Sequence, residues 1–137
     1  MIRVIQVKDY PQIEHINHKL TTKDIKELIK KHTVLVLIEE DMVRGYIVYK
    51  LLEKSFDINT VFVDALYRRE GIGTSLMYQV LERMARTSRK SLTTSVSDKN
   101  LVAHLFLKNM GFIGRIAEDD DSYYDFEFQP KSKQDAV

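Results

Sequence analysis

Cysteine is absent from the chain. That excludes a disulfide framework, thiolate metal sites and a cysteine nucleophile, and it fits a reducing compartment. No linker rich in Pro, Gly or Ser divides the sequence, and no segment repeats another. Neither sign of charge dominates, with 21 basic against 20 acidic residues, so no global field draws the protein to nucleic acid or an anionic membrane. Any preference for phosphate must be local. No apolar run approaches membrane-spanning length, and Met1 to Gln6 is too short and too alternating for a signal peptide. A soluble, cytoplasmic protein is therefore expected, and 137 residues with 44% apolar content suit one domain with a real core.

What is present is a mixed order of strands and helices. Ile2 to Val7 alternates like a strand, and Asp9-Tyr10-Pro11 caps a helix carrying Ile13, Ile16 and Leu20. Thr22 to Lys31 reads as a second helix with Ile25, Leu28 and Ile29 inward. Thr33 to Glu39 and Val43 to Leu52 are β-rich, joined by a hairpin at Glu40-Asp41, and Ser55 to Val63 is the third strand of that meander. Leu76, Met77, Val80, Leu81, Met84 and Ala85 have helical spacing. Leu92 to Ser97 is a strand, Asn100 to Asn109 a helix ended by Gly111, and Phe112 to Ala117 with Tyr123 to Phe128 a closing hairpin. Gln129 to Val137 is a polar tail.

Two local features carry chemistry. Arg68-Arg69-Glu70-Gly71-Ile72-Gly73-Thr74 joins a β-branched strand to an amphipathic helix. Gly71 and Gly73 let the backbone turn sharply and a bulky ligand approach. The first N–H groups of the helix then point outward without partners, and with the helix dipole and two arginines they favour an anion. The bland alternative is a solvated turn. In Ser55 to Val63 the apolar phase slips, since Phe56 and Ile58 fall on one face and Val61 and Val63 on the other. Either a bulge reconciles them, leaving backbone groups free to grip an amide-bearing ligand, or both faces are buried.

The stretch from Ile58 through Asp64 to Gly73 resembles the central signature of the GCN5-related N-acetyltransferases, whose turn reads Q/R-x-x-G-x-G/A. Asn100-Leu101-Val102-Ala103, followed by Gly111-Phe112, is similar to that family's second signature. In length and layout the chain is similar to members that acetylate the N-terminal alanine of a ribosomal protein. The resemblance implies a single α/β domain over residues 1–128, with a twisted, mostly antiparallel sheet of about seven strands and four flanking helices. It implies acetyl-CoA in a gap between the strands ending at Val63 and Ser97, with no metal. The pyrophosphate would sit on Arg68, Arg69, Glu70, Gly71, Ile72, Gly73 and Thr74, and the pantetheine arm would pair with Val61, Phe62 and Val63, helped by Asn100. A monomer or homodimer would act on an amine of a protein, a peptide or a small molecule.

The implied chemistry is direct attack of an amine on the thioester, assisted by proximity, an oxyanion donor and a base. A backbone N–H near Val61 or Val63 could polarise the carbonyl. Departures from the family fall on the proton-transfer residues. Leu107 stands where many members place a tyrosine acid, and Ser95 where the ribosomal-protein acetylators carry a glutamate. The expected base is Asp57 acting through water, and the expected acid Tyr123 or Tyr124. Neutralising a lysine amine at pH 7 costs about 4.6 kcal/mol and an α-amine only about 1 kcal/mol, so a sparsely equipped site favours an α-amine. The competing expectations are a small-molecule acetyltransferase and a CoA sensor that has lost chemistry. A nucleotide site is disfavoured because Leu76 replaces the third glycine of G-x-G-x-x-G and no G-K-[ST] follows the turn. Glu118 to Asp121 could attract a cationic acceptor or could simply be a solvated turn, and the four histidines form no metal motif.

Overall fold

A computed structural model describes residues 1–130 of the chain. Apart from Gln129 and Pro130, the expected polar tail lies outside the described residues. Seven strands form one sheet in the order β1-β2-β3-β4-β5-β7-β6, with four α-helices on its faces. The strands are β1 (Ile2–Val4), β2 (Thr33–Glu39), β3 (Met42–Leu51), β4 (Ser55–Val63), β5 (Ser91–Ser97), β6 (Ile113–Ile116) and β7 (Tyr123–Phe128). The helices are α1 (Tyr10–Ile16), α2 (Thr22–Lys31), α3 (Ile72–Ala85) and α4 (Leu101–Met110). Every neighbouring pair is antiparallel except β4 and β5.

One core lies under α3 and α4, where Leu35, Ile47, Leu76, Met77, Val80, Leu92 and Phe126 are fully or almost fully buried. A second lies under α1 and α2, where Ile13, Ile25, Val36, Val43, Tyr46 and Val48 close the opposite face of β2 and β3. On that second side the C-terminal strands carry no apolar cover. Thr93, Ser95, Asp125 and Glu127 point there, while Leu92, Val96 and Phe126 alternate into the first core.

The turn between β2 and β3 is where it was expected, with Glu40 and Asp41 both left-handed at φ 52 and 62, the geometry that matches strand twist. Two elements are shorter than their apolar pattern suggests. The strand expected to reach Val7 stops at Val4, because Asp9 draws the chain into a tight turn: its carboxylate accepts from Arg3 Nη1 at 2.7 Å, Arg3 Nη2 at 2.9 Å and the Gln6 N–H at 2.7 Å. The helix expected to carry Leu20 ends at Ile16, because Asn17 leaves helical geometry and donates to the buried Tyr46 hydroxyl at 2.8 Å.

Burial pushes the Asp9 carboxyl up, but the Arg3 guanidinium and the Gln6 N–H outweigh it and hold the pKa below 3.8. A carboxyl lowered by folding stabilises above its unfolded pKa and loses that contribution as pH falls through the folded value. Asp9→Ala is therefore expected to lower stability by about 3 kcal/mol at neutral pH, as when a buried pair is broken. Urea unfolding should show the gap to wild type shrinking below about pH 4.

Both halves of β4 face the same core. Tyr49 pairs with Ile58 but Val48 with Thr60, so Asn59 is an extra residue and β4 bulges there. The phase slip is thereby repaired: Phe56, Ile58, Val61 and Val63 all pack under α3 and α4, and Phe62 turns to the other core. Just past the bulge the sheet opens. The parallel ladder runs only from Ser55 opposite Ser91 to Ile58 opposite Thr94, after which β4 and β5 diverge.

Candidate active site

The anion turn is built from backbone conformations that few sequences allow. Arg69 and Gly71 are left-handed at φ 71 and 81, and Gly71 is the N-cap of α3. An N-cap usually offers a side-chain oxygen to the first helical N–H groups, as Thr21 does for Asp24 in α2 and Asn100 for Ala103 in α4. Gly71 offers none, and the first backbone bond of α3 is from Ser75 N–H to the Gly71 carbonyl at 2.9 Å. The N–H groups of Ile72, Gly73 and Thr74 therefore lie outside the helical ladder at the positive end of a 14-residue helix. A left-handed residue followed by a helical one also turns successive N–H groups inward as an anion nest.

The arginines contribute unequally. Both are exposed, but Arg68 Nε donates to the Val63 carbonyl at 3.2 Å, tying the turn back to the end of β4. Glu70 is exposed beside them.

Beside this turn lies the free edge of β4. Beyond Ile58 the edge of β4 turned away from β3 faces a gap with no strand partner, so the backbone groups that point that way between Thr60 and Val63 are open, apart from the Val63 carbonyl held by Arg68. The gap has apolar walls. A Cβ added at Gly73 would meet the Phe106 ring at 3.6 Å and Val61 at 3.8 Å, so this glycine keeps the crevice between β4 and α4 open. Asn100 stands at the mouth of α4, and with its Oδ1 accepting from Ala103 N–H at 3.2 Å, only its amide NH2 is free to reach a ligand.

The expected proton-transfer residues are divided by the sheet. Asp57 lies on the uncovered face, where it accepts from Thr93 Oγ1 at 2.7 Å. Ser95, Asp125, Glu127, Arg115, Glu118 and Asp119 line the same groove of about 1060 Å³. Tyr123 and Tyr124 are neighbours on β7 and so point to opposite faces. Tyr124 packs edge-on against His104, ring centroids 5.0 Å apart, on the α4 side, while Tyr123 is opposite Ser97 on the groove side and 43% exposed. Leu107 is embedded in the first core. Asp120 is turned inward on its own loop, its pKa lowered by hydrogen bonds from the Ser122 hydroxyl and N–H. His104 likewise has a local partner, the Ser97 carbonyl at 3.0 Å. Among the described residues no group of three or more His, Cys, Asp or Glu is placed to hold a metal ion, and no helix is long and apolar enough to cross a membrane.

A split parallel pair beside an uncapped helix N-terminus is an arrangement with a family. The acetyltransferase (GNAT) family model matches residues 1–112, which contain β1 to β5, the anion turn and α4. The chain belongs to that family. It is a GNAT N-acetyltransferase, with acetyl-CoA as co-substrate.

Solved structures agree on the architecture. Ard1 from Thermoplasma volcanium superposes with a TM-score of 0.80 at 22% identity, over 96% of this chain and 98% of its own. The PaiA N-acetyltransferase from Thermoplasma acidophilum, in complex with coenzyme A, gives 0.78 at 14% identity, over 95% and 98%. The ribosomal-protein-S18-alanine N-acetyltransferase from Escherichia coli gives 0.76 at 15% identity, over 94% and 92%. At these identities the likeness is one of fold. No curated protein matches the sequence.

Several contributors to this GNAT site were not singled out by the sequence reading. Phe106 narrows the crevice, Thr93 holds Asp57, and Gly45 and Arg44 lie under the anion turn. For Gly45 a signal existed, since a glycine inside a strand pattern marks close backbone approach. Arg44 gave none, because its position depends on a bulge that only the β2 and β3 register reveals: Leu37 pairs with Gly45 and Ile38 with Val43.

Proposed function

We propose that this GNAT enzyme acetylates the α-amine of a protein or peptide, as the ribosomal-protein alanine acetylators do, through direct attack on acetyl-CoA. The observation that carries the reading is the split between β4 and β5: an open β4 edge and uncapped α3 lie at its mouth, and a polar groove carrying Asp57 lies on the uncovered sheet face. In this reading the N–H groups of Gly71, Ile72, Gly73 and Thr74 take the diphosphate, with Arg68, Arg69 and Glu70 completing the turn. The backbone of Val61, Phe62 and Val63 pairs with the pantetheine amides, the Asn100 amide NH2 reaches the arm, and a β4 N–H polarises the thioester carbonyl.

The amine then enters from the groove side. Asp57, oriented by Thr93, accepts its proton through water, and Tyr123, on the same face of the sheet, is the candidate acid for the departing thiolate. Tyr124 takes part as packing behind the sheet. A thiol of pKa about 8.5 is a fair leaving group, so the reaction tolerates a weak acid or none. Among the described residues, Asp57, Glu118, Asp119, Asp125 and Glu127 face one cation, Arg115, in the groove, which favours an acceptor that is positively charged beyond its reacting amine.

Mass spectrometry of peptides with free N-termini, blocked-terminus lysine peptides and polyamines incubated with acetyl-CoA tests the reading. Acetylation confined to the small amines would overturn it. Asp57→Asn should lower kcat about 100-fold near neutral pH with coenzyme A affinity unchanged. Much of the rate should return near pH 9, where the amine is already neutral; a flat, uncorrected defect would remove Asp57 from the mechanism.

A second reading, a CoA-binding module without turnover, has one observation in its favour. Leu107 is 4% exposed in the core, so α4 supplies no proton donor at that point. Such a protein would bind coenzyme A and release no thiol with any amine.

A further inference from the structure

We infer that Arg44 is a positioning residue for the cofactor turn, acting through Tyr67. The inference rests on the reading that this turn binds the diphosphate of acetyl-CoA, and it adds a residue distant in sequence from both signatures.

Arg44 is the extra residue of the β3 bulge and is only 9% exposed. A buried guanidinium ordinarily has a carboxylate partner. Here the nearest acid is Glu40, at 3.9 Å on a side chain 89% exposed, and Arg44 Nε finds no hydrogen-bond partner among the described residues. What the guanidinium does meet is an aromatic face: its Cζ lies 3.9 Å from the centroid of the Tyr67 ring, a close cation–π stack.

That stack sits at a decisive point in the chain. A 3-10 turn, Ala65–Tyr67, carries the backbone from the end of β4 to Arg68 and the anion turn. Ala65 and Leu66 are exposed, so the apolar anchorage of this segment is the Tyr67 ring, which packs against the first core. Arg44 grips the segment at both ends. Its carbonyl accepts from Asp64 N–H at 2.8 Å, where the turn begins, and its side chain covers Tyr67, where it finishes. Inside the turn only local bonds operate, from Tyr67 N–H to the Asp64 carbonyl and from Leu66 N–H to Asp64 Oδ1. The height of Arg68 to Gly71 above the β4 edge is thus set from β3, and with it the distance between diphosphate donors and pantetheine partners.

Coenzyme A affinity of the wild-type protein, measured first by calorimetry, checks the reading beneath the inference; no uptake would sink both. With binding established, Arg44→Met and Tyr67→Leu should each raise KM for acetyl-CoA about tenfold while kcat stays within about twofold, the scale of one desolvated cation–π contact. The double variant should be no worse than either alone. Tyr67→Phe keeps the stacked ring and should match wild type. A wild-type KM in Arg44→Met, a fall in kcat at constant KM, or additive effects would each overturn the assignment. Should Arg44→Met unfold at the assay temperature, Arg44→Gln carries the test: it keeps a polar head without the charge over the ring, so an unchanged KM there also overturns it.

Discussion

Gly71→Asp should weaken coenzyme A binding by about a thousandfold or more, while Gly71→Asn weakens it only about tenfold. The argument starts from what the position permits. At φ 81 any side chain pays a left-handed penalty, of order 1–2 kcal/mol, but Asn and Asp tolerate that region best, and a Cβ here has no atom within 4 Å. Both variants should therefore fold. They differ in charge alone. An aspartate at the N-cap sits where the N–H groups of α3 converge, so its carboxylate competes for the donors a diphosphate needs. It also repels the diphosphate directly: at about 4 Å and an effective dielectric near about 20, each unit charge pair costs about 4 kcal/mol, a factor of about a thousand. Titration calorimetry on the two variants separates shape from charge. Raising the salt concentration should recover part of the aspartate defect and leave the asparagine one unchanged. Equal affinities for the two would mean that the diphosphate does not approach this helix end.

That prediction uses a feature visible in the bare sequence, and its visibility has a physical cause. Gly71 signals a left-handed backbone that other residues resist, and the slip of apolar phase between Ile58 and Val61 signals a bulge, because both are consequences of local geometry written in single residues. The split sheet follows from them only through the family resemblance. What stayed hidden depends on partners far apart in sequence. Ile2 to Val7 alternates like a strand, but Arg3 and Asp9 close it early. The α1 pattern continues to Leu20, but Asn17 is claimed by Tyr46 on β3. The proton-transfer residues were least legible, since Tyr123 and Tyr124 are indistinguishable until the β5 and β7 register assigns one to the groove and the other to α4. Leu107 and Ser95 could be named as departures from a pattern, yet their consequence depends on burial, which no spacing rule gives.

Gly45→Ala is the second change expected to act strongly, and it links the core to the cofactor. A Cβ on Gly45 would lie 2.8 Å from the Phe62 carbonyl oxygen and 2.9 Å from Ile72 Cγ2. The first contact is backbone of β4, and the second belongs to the first residue of α3. Neither can yield by rotating a free side chain, so strand and helix must part. Overpacking of this kind costs about 3 kcal/mol. The displacement would also separate the β4 edge from the α3 donors, the two halves of the proposed acetyl-CoA site, so affinity should fall along with stability. Gly114→Ala supplies the contrast. Its Cβ would come within 2.5 Å of the Phe126 ring, an equally severe clash in a side chain 1% exposed, but on the strand pair remote from the turn. Urea unfolding should show both variants destabilised, whereas calorimetry at a temperature where both are folded should show weakened coenzyme A binding for Gly45→Ala alone. Parallel losses of affinity in the two would mean that binding merely tracks global stability. A selective loss would show that the close approach at Gly45 sets the spacing on which the helix donors and the open strand edge act together.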